Sequence, residues 1–262
     1  MKFIIFLCLS AVLLLSSQVA DSKKLFQSPN PLHLEKILHA NFREFEPPSD
    51  FIKKFNLTFE IPNIYIFGLD ATNHYLAYSI DYAEDLSEHY RGVFEIMNLI
   101  NDKIVARVEV RKNNLDKEIR YAYKDFINAH SDTLLKLLEK YNIVLNTPIL
   151  KEQAIAHQND MLEYYATKSY KPSDLGAKVI ADYKVIVKSQ KLGTKIVTQK
   201  IYKAPYYSSL YDIKPVGYFA NGEDAHRVAL FIIKVVRGYE GYPHGIDFMF
   251  SGANLKNNFH KE

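Results

Sequence analysis

A chain with one cysteine cannot staple itself, and the only cysteine here is Cys8. It lies in a stretch laid out like a secretory signal peptide. Met1 and Lys2 give a positive start, Phe3 to Leu15 is apolar apart from Ser10, and small or polar residues run from Ser16 to Ala20 ahead of Asp21. The apolar run falls short of the ~20 residues that a bilayer span needs. It therefore reads as a leader over residues 1–20, cut after Ala20 or after Ser22, and not as a transmembrane anchor. The expectation is a secreted, extracellular chain with no thiol and no disulfide. Thiol nucleophiles, thiolate metal ligands and redox switching drop out with Cys8. Packing alone must then hold the remaining chain, about 240 residues, which is length enough to bury most of its unfolded surface.

Charge excludes one class of partner. The formal net charge is +3, and the leader would remove only Lys2 from that balance. A chain so near neutral is not expected to bind nucleic acid or polyanions in general. Nineteen tyrosines and sixteen phenylalanines, with no tryptophan, suit sheet surfaces and pockets of mixed polarity. Asn56-Leu57-Thr58 is a glycosylation sequon and places Asn56 at the surface of a glycoprotein.

Periodicity predicts three main helices. Asn30-Pro31 resembles a capped start, and Leu34, Ile37, Leu38, Phe42 and Phe45 recur at helical spacing until Pro47-Pro48. Leu115 to Tyr141 carries a second apolar stripe, through Tyr123, Phe126, Ile127, Leu134 and Leu138. Thr147-Pro148 opens a third, with Leu150, Ala154, Met161, Leu162 and Tyr165 inward and Pro172 as its stop. Period-two runs predict strands at 55–59, 64–69, 75–82, 92–100, 103–110, 178–188, 195–203, 211–219, 227–237 and 245–250. Asn101-Asp102, Gly193 and Asn221-Gly222 mark the turns.

These elements imply an α+β fold: three helices packed on one or two curved antiparallel sheets. The cadence of 64–100 recurs in 211–250, which suggests a first α+β unit over 30–113, a second over 114–251 and a loose tail over 252–262. Helix followed by a long meander is the order of cystatin-like and NTF2-like (nuclear-transport-factor-like) cones. That likeness concerns architecture and carries no function.

Chemical motifs are sparse. No His-x-x-x-His, Gly-x-Ser-x-Gly or glycine-rich phosphate loop occurs, so no metal and no cofactor is predicted. Asp81, Glu84, Asp85 and Glu88 crowd together beside His89, which reads as an exposed acidic loop. Tyr242-Pro243-His244-Gly245-Ile246-Asp247 is the most site-like stretch, because Asp247 could orient His244 as half of an acid–base pair. Between Lys168 and Lys203 nine lysines face two acids. Lys178, Lys184 and Lys188 share parity and project from one face of their strand. With Lys195, Lys200 and Lys203 on a second strand joined at Gly193, they are expected to form a lysine-covered ribbon that meets an anionic glycan, lipid or protein surface. The function these features suggest is a binding or interaction protein, with that lysine surface or an aromatic pocket for a small apolar ligand between helix and sheet. The alternatives are an extracellular enzyme with an acid/base site outside known motifs, and a structural or assembly protein using a free strand edge.

Overall fold

The computed structural model describes residues 28–55, 59–82, 89–114, 120–146, 148–173, 178–203, 209–223, 225–238 and 241–261. The predicted leader, Asn56 and the acids Glu84, Asp85 and Glu88 lie outside these residues. Helix α1 (Glu35–Phe42) runs into a 3-10 turn (Arg43–Phe45) and is followed by α2 (Ser49–Phe55). Strands β1 (Phe59–Glu60), β2 (Asn63–Leu69), β3 (Tyr75–Tyr82), β4 (His89–Asn98) and β5 (Lys103–Asn113) lead to the one long helix, α3 (Tyr123–Lys140). The rest is strand: β6 (Ile155–His157), β7 (Asp160–Pro172), β8 (Lys178–Ser189), β9 (Gly193–Ile201), β10 (Leu210–Phe219), β11 (Arg227–Gly238) and β12 (Gly241–Asn254).

These strands form three four-stranded sheets: β2-β3-β4-β5, β1-β12-β11-β10 and β6-β7-β8-β9. All pairings are antiparallel except β1 with β12, where Phe59 lies opposite His244. The sheets stack in layers. One face of the first sheet packs on α3 through Phe67, Phe94 and Ile96 against Phe126, Ile127, Leu134 and Leu138. Its other face packs on the central sheet, Ile64, Ile66 and Leu76 against Phe219, Phe231 and Phe250, with Leu34, Leu38 and Phe42 from the α1 segment in the same core. The far face of the central sheet packs on the outer sheet, Leu230 and Ile232 against Leu162, Val185 and Val187. Strand β11 therefore has no solvent face. Val228, Leu230 and Ile232 point one way and Ala229, Phe231 and Ile233 the other, all buried. This is why its sequence is a continuous apolar run and not an alternation.

This architecture corrects the expected α+β fold. Strands make up 56% and helices 17% of the structure, in three sheets, and among the described residues only α3 is a main helix. No helix-on-sheet cone of the NTF2-like or cystatin-like kind is formed, because the central meander is covered by a sheet on each side. The helix predicted from Thr147 to Tyr165 is instead hairpin β6–β7. Its turn residues Gln158 and Asn159 both have positive φ, 49° and 59°, as a two-residue primed turn requires. The first helix starts at Glu35, not at Pro31, since Pro31 bridges to Tyr65 beside β2. Helix α2 was not anticipated. Residues 254–261 are tied down: Leu255 is buried, and His260 and Thr194 exchange backbone hydrogen bonds.

Candidate functional site

His244 and Asp247 do not form an acid–base pair. Both lie on β12, and a separation of three residues sends their side chains to opposite faces of a strand. His244 is buried, its ring edge-on to Tyr211 at 4.9 Å, with Nδ1 accepting a hydrogen bond from Gly238 N–H. Asp247 is exposed and ion-paired with Lys234 at 2.6 Å.

The lysine ribbon is split by cross-strand register. Residues directly opposite in an antiparallel pair share a face. Lys184 and Lys188 lie opposite Thr167 and Glu163 on the outer, exposed face. Lys195 lies opposite the buried Val187, and Lys200 opposite the buried Tyr183, so both belong to the other face. Lys195 is buried and donates to the carbonyls of Asn254 and Asn257, at 2.7 and 2.8 Å. Desolvation pushes its ammonium below the usual lysine range. Lys178 and Lys200 sit over the rings of Tyr170 and Tyr202, and Lys203 is exposed beyond β9. Within the same basic stretch Lys168 turns inward to the buried Asp212, which Lys214 also approaches at 3.5 Å. Lys168 and Lys195 are thus turned into the fold, while Lys178, Lys184, Lys188, Lys191, Lys200 and Lys203 stay exposed. The aromatic pocket expected between helix and sheet is likewise filled, by the Phe67, Phe94 and Phe126 layer beneath α3.

The structure gathers polar groups elsewhere, at one end of the stacked sheets. The β2–β3 turn is held by the buried carboxylate of Asp70, which accepts from the N–H groups of Thr72, His74 and Tyr75 at 3.1, 2.7 and 2.7 Å. This presents Asn73, at φ 56°, to Asn221 in the β10–β11 connection. Asn221 N–H donates to Asn73 Oδ1 at 2.6 Å, and Asn73 Nδ2 donates to Asn221 O at 3.1 Å. Asn221 Nδ2 also donates to the carbonyls of Leu69 and Asp70. The β4–β5 turn joins the seam: Arg227 Nη1 donates to Leu99 O at 2.9 Å, and Asp102 accepts from Ser251 Oγ and from Gly252 N–H. Contact there is so close that a Cβ on Gly252 would stand 1.7 Å from Leu99 O.

Beside this seam is a cleft of about 560 Å³. His74, His226, Arg227 and Lys256 line it, with Asn254 and the backbone of the two turns, and no described lining residue is acidic. Arg227 is only half-buried, yet its Nε is sealed from solvent without a hydrogen-bond partner. Burial disfavours its charge, and Asp102 offsets this only in part. The His226 ring stands edge-on to the buried His157 ring at 5.6 Å. A second cleft, of about 350 Å³, lies between Asn41, Glu152, Glu163 and Tyr164, and its charged lining is entirely acidic. The first can therefore take an anionic group and the second cannot.

Sequence reasoning missed this constellation. Asn221-Gly222 is legible only as a turn, and 148 residues separate Asn73 from Asn221, so no spacing joins them. Among the described residues no three histidine, cysteine, aspartate or glutamate side chains gather as a metal site, and no helix is long and apolar enough to cross a membrane. No family model, no curated protein and no solved structure matches this chain.

Proposed function

We propose that the chain is a secreted binding protein, not an enzyme, and that its ligand carries a phosphate, sulfate or carboxylate group held in the seam cleft. The observation that carries this reading is the lining: His74, His226, Arg227 and Lys256 face one cavity with no carboxylate among its described residues. The walls are preorganised. Each turn is pinned to its own strands and to the other turn by hydrogen bonds, so little ordering cost opposes binding. The catalytic alternative loses its only named pair with the separation of His244 from Asp247.

Inorganic phosphate or sulfate should raise the melting temperature progressively with concentration, as any ligand of the folded state does. Sodium chloride at matched ionic strength should not. The response should vanish in a His226→Ala, Lys256→Glu double variant, whose two sites are exposed. Equal responses to all three salts, or a full response in that variant, would overturn the reading.

An assembly role has its own supporting observation, the uncovered face of the outer sheet. Met161, Tyr165, Ile196 and Ile201 are exposed there. A sedimentation coefficient that rises with protein concentration and reverts in Ile196→Lys would favour it.

A further inference from the structure

Asn221-Gly222 is the one Asn-Gly pair in the chain, and it stands in the middle of the seam. In such a pair a side-chain amide sits beside a backbone nitrogen that no side chain shields, so asparagine is readily lost by its own chemistry. The Gly222 nitrogen attacks Asn221 Cγ, the Cγ–Nδ2 bond breaks, and ammonia leaves behind a five-membered succinimide. Water then opens the ring at either carbonyl, giving aspartate or isoaspartate. The net change is amide plus water to carboxylic acid plus ammonia, with nothing oxidised or reduced. The glycine side of this reaction is open. Gly222 is exposed at φ 80°, and a Cβ there would meet nothing within 4 Å.

The asparagine side is closed. Both N–H bonds of the Asn221 amide are used on the β2–β3 turn, donating to the carbonyls of Leu69 and Asp70 at 3.1 Å each. Its Oδ1 accepts from Asn146 Nδ2 at 3.4 Å, and its main chain exchanges two hydrogen bonds with the Asn73 side chain. Ring closure needs Cγ to swing onto Gly222 N, and the amide cannot make that swing while it holds the turn. The lock therefore shelters the amide, and the amide is the lock. A carboxylate has no N–H to give. At position 221 it would set its oxygens against two carbonyl oxygens, in a turn already organised by the buried Asp70 carboxylate. Isoaspartate would also lengthen the backbone between the two turn residues and pull Asn221 N–H away from Asn73.

We propose that Asn221-Gly222 is a self-modifying site. Deamidation is suppressed while the seam is closed, proceeds when the seam opens locally, and then prevents it from closing again. The reaction is one-way, so each opening carries a chance of permanent release. A carboxylate at position 221 would also stand in the lining of the anion cleft. That consequence rests on the anion-binding reading of the cleft, whereas loss of the lock does not.

Peptide mass spectrometry of the protein held in mildly alkaline buffer follows the reaction. Asn221 in folded wild-type protein should convert roughly tenfold or more slowly than in the same protein unfolded in urea. Asn73→Ala, shown to be folded by circular dichroism, should bring the folded rate most of the way to the unfolded one. Asn221→Asp, which is one of the two products, should melt roughly 5–10 °C below wild type. Should that variant not fold, the deamidated fraction of aged wild-type protein, separated by ion exchange, gives the same comparison. Equal rates in the folded protein and in urea would overturn the proposal, as would the absence of product from the unfolded chain. An Asn73→Ala rate equal to that of folded wild type, or an aspartate form that melts with wild type, would overturn it too. None of these readouts involves phosphate, so the proposal and the anion cleft stand or fall separately.

Discussion

On β11 every residue from Val228 to Ile233 is buried, with alternate side chains entering two different cores. On β7 burial alternates, and Met161, Glu163, Tyr165 and Thr167 face water. Both strands sit inside antiparallel sheets, yet only the outer one has a side to spare. A strand covered on both faces can present chemistry only at its ends, and the seam cleft is built there, from the connections into β11 and out of β12. The outer sheet has free side chains but a flat, open face with mixed charge. Rigidity and access are divided between the two sheets, and a cleft needs both.

Alkali tests the cores of both sheets together and should have the largest effect. Burial pushes the phenols of Tyr78, Tyr90 and Tyr123 well above their ordinary value, and those of Tyr164 and Tyr183 up to about 12. Below pH 10 these groups are protonated folded or unfolded, so their contribution is intact. Above it the unfolded chain releases protons that the folded chain retains, and stability falls until the folded values are reached. Tyrosinate absorbance from these five should appear with loss of ellipticity, in one transition. If they ionise while the fold persists, the cores are open to water.

Single substitutions then rank the layers. Phe231→Ala, deep between the first and central sheets, should cost about 3–5 kcal/mol in urea unfolding. Val185→Ala, between the outer and central sheets, removes a smaller side chain and should cost about 2 kcal/mol. Ile196→Thr, on the bare face, should stay within about 0.5 kcal/mol. If Ile196→Thr costs as much as Val185→Ala, the outer face is not bare in solution, and the contrast between the sheets fails.

Most of the strands could be read from the chain: β3 from Tyr75 to Tyr82 and β8 from Lys178 to Ser189 follow the predicted bounds closely. Period-two alternation is local, and local signals survive. The β6–β7 hairpin was hidden because Leu150, Ala154, Met161, Leu162 and Tyr165 fit a helical stripe when taken alone. The competing alternation of Leu162, Tyr164 and Ala166 against Glu163, Tyr165 and Thr167 shows that this segment is a half-covered strand. The lysine ribbon divides between two faces for a different reason. Parity along β8 separates Lys184 from Val185 correctly. The register between β8 and β9, with its bulge near Ile186, decides which face Lys195 and Lys200 join. Register is a property of two strands at once. The seam needs four connections to meet, and nothing in the local chemistry of Asn73 or Arg227 announces that.

The pairing of Phe59 with His244 has a consequence for how this chain is made. The central sheet is the layer on which both neighbouring sheets close, and β12, which completes it, follows every other described strand in the chain. Until Ile246, Phe250 and Ala253 arrive, the apolar faces of two finished hairpin meanders have nothing complete to cover them. Exposed apolar sheet faces of this kind are adhesive until they are covered. Loss of β12 alone would strip the central sheet of the strand that joins β11 to β1.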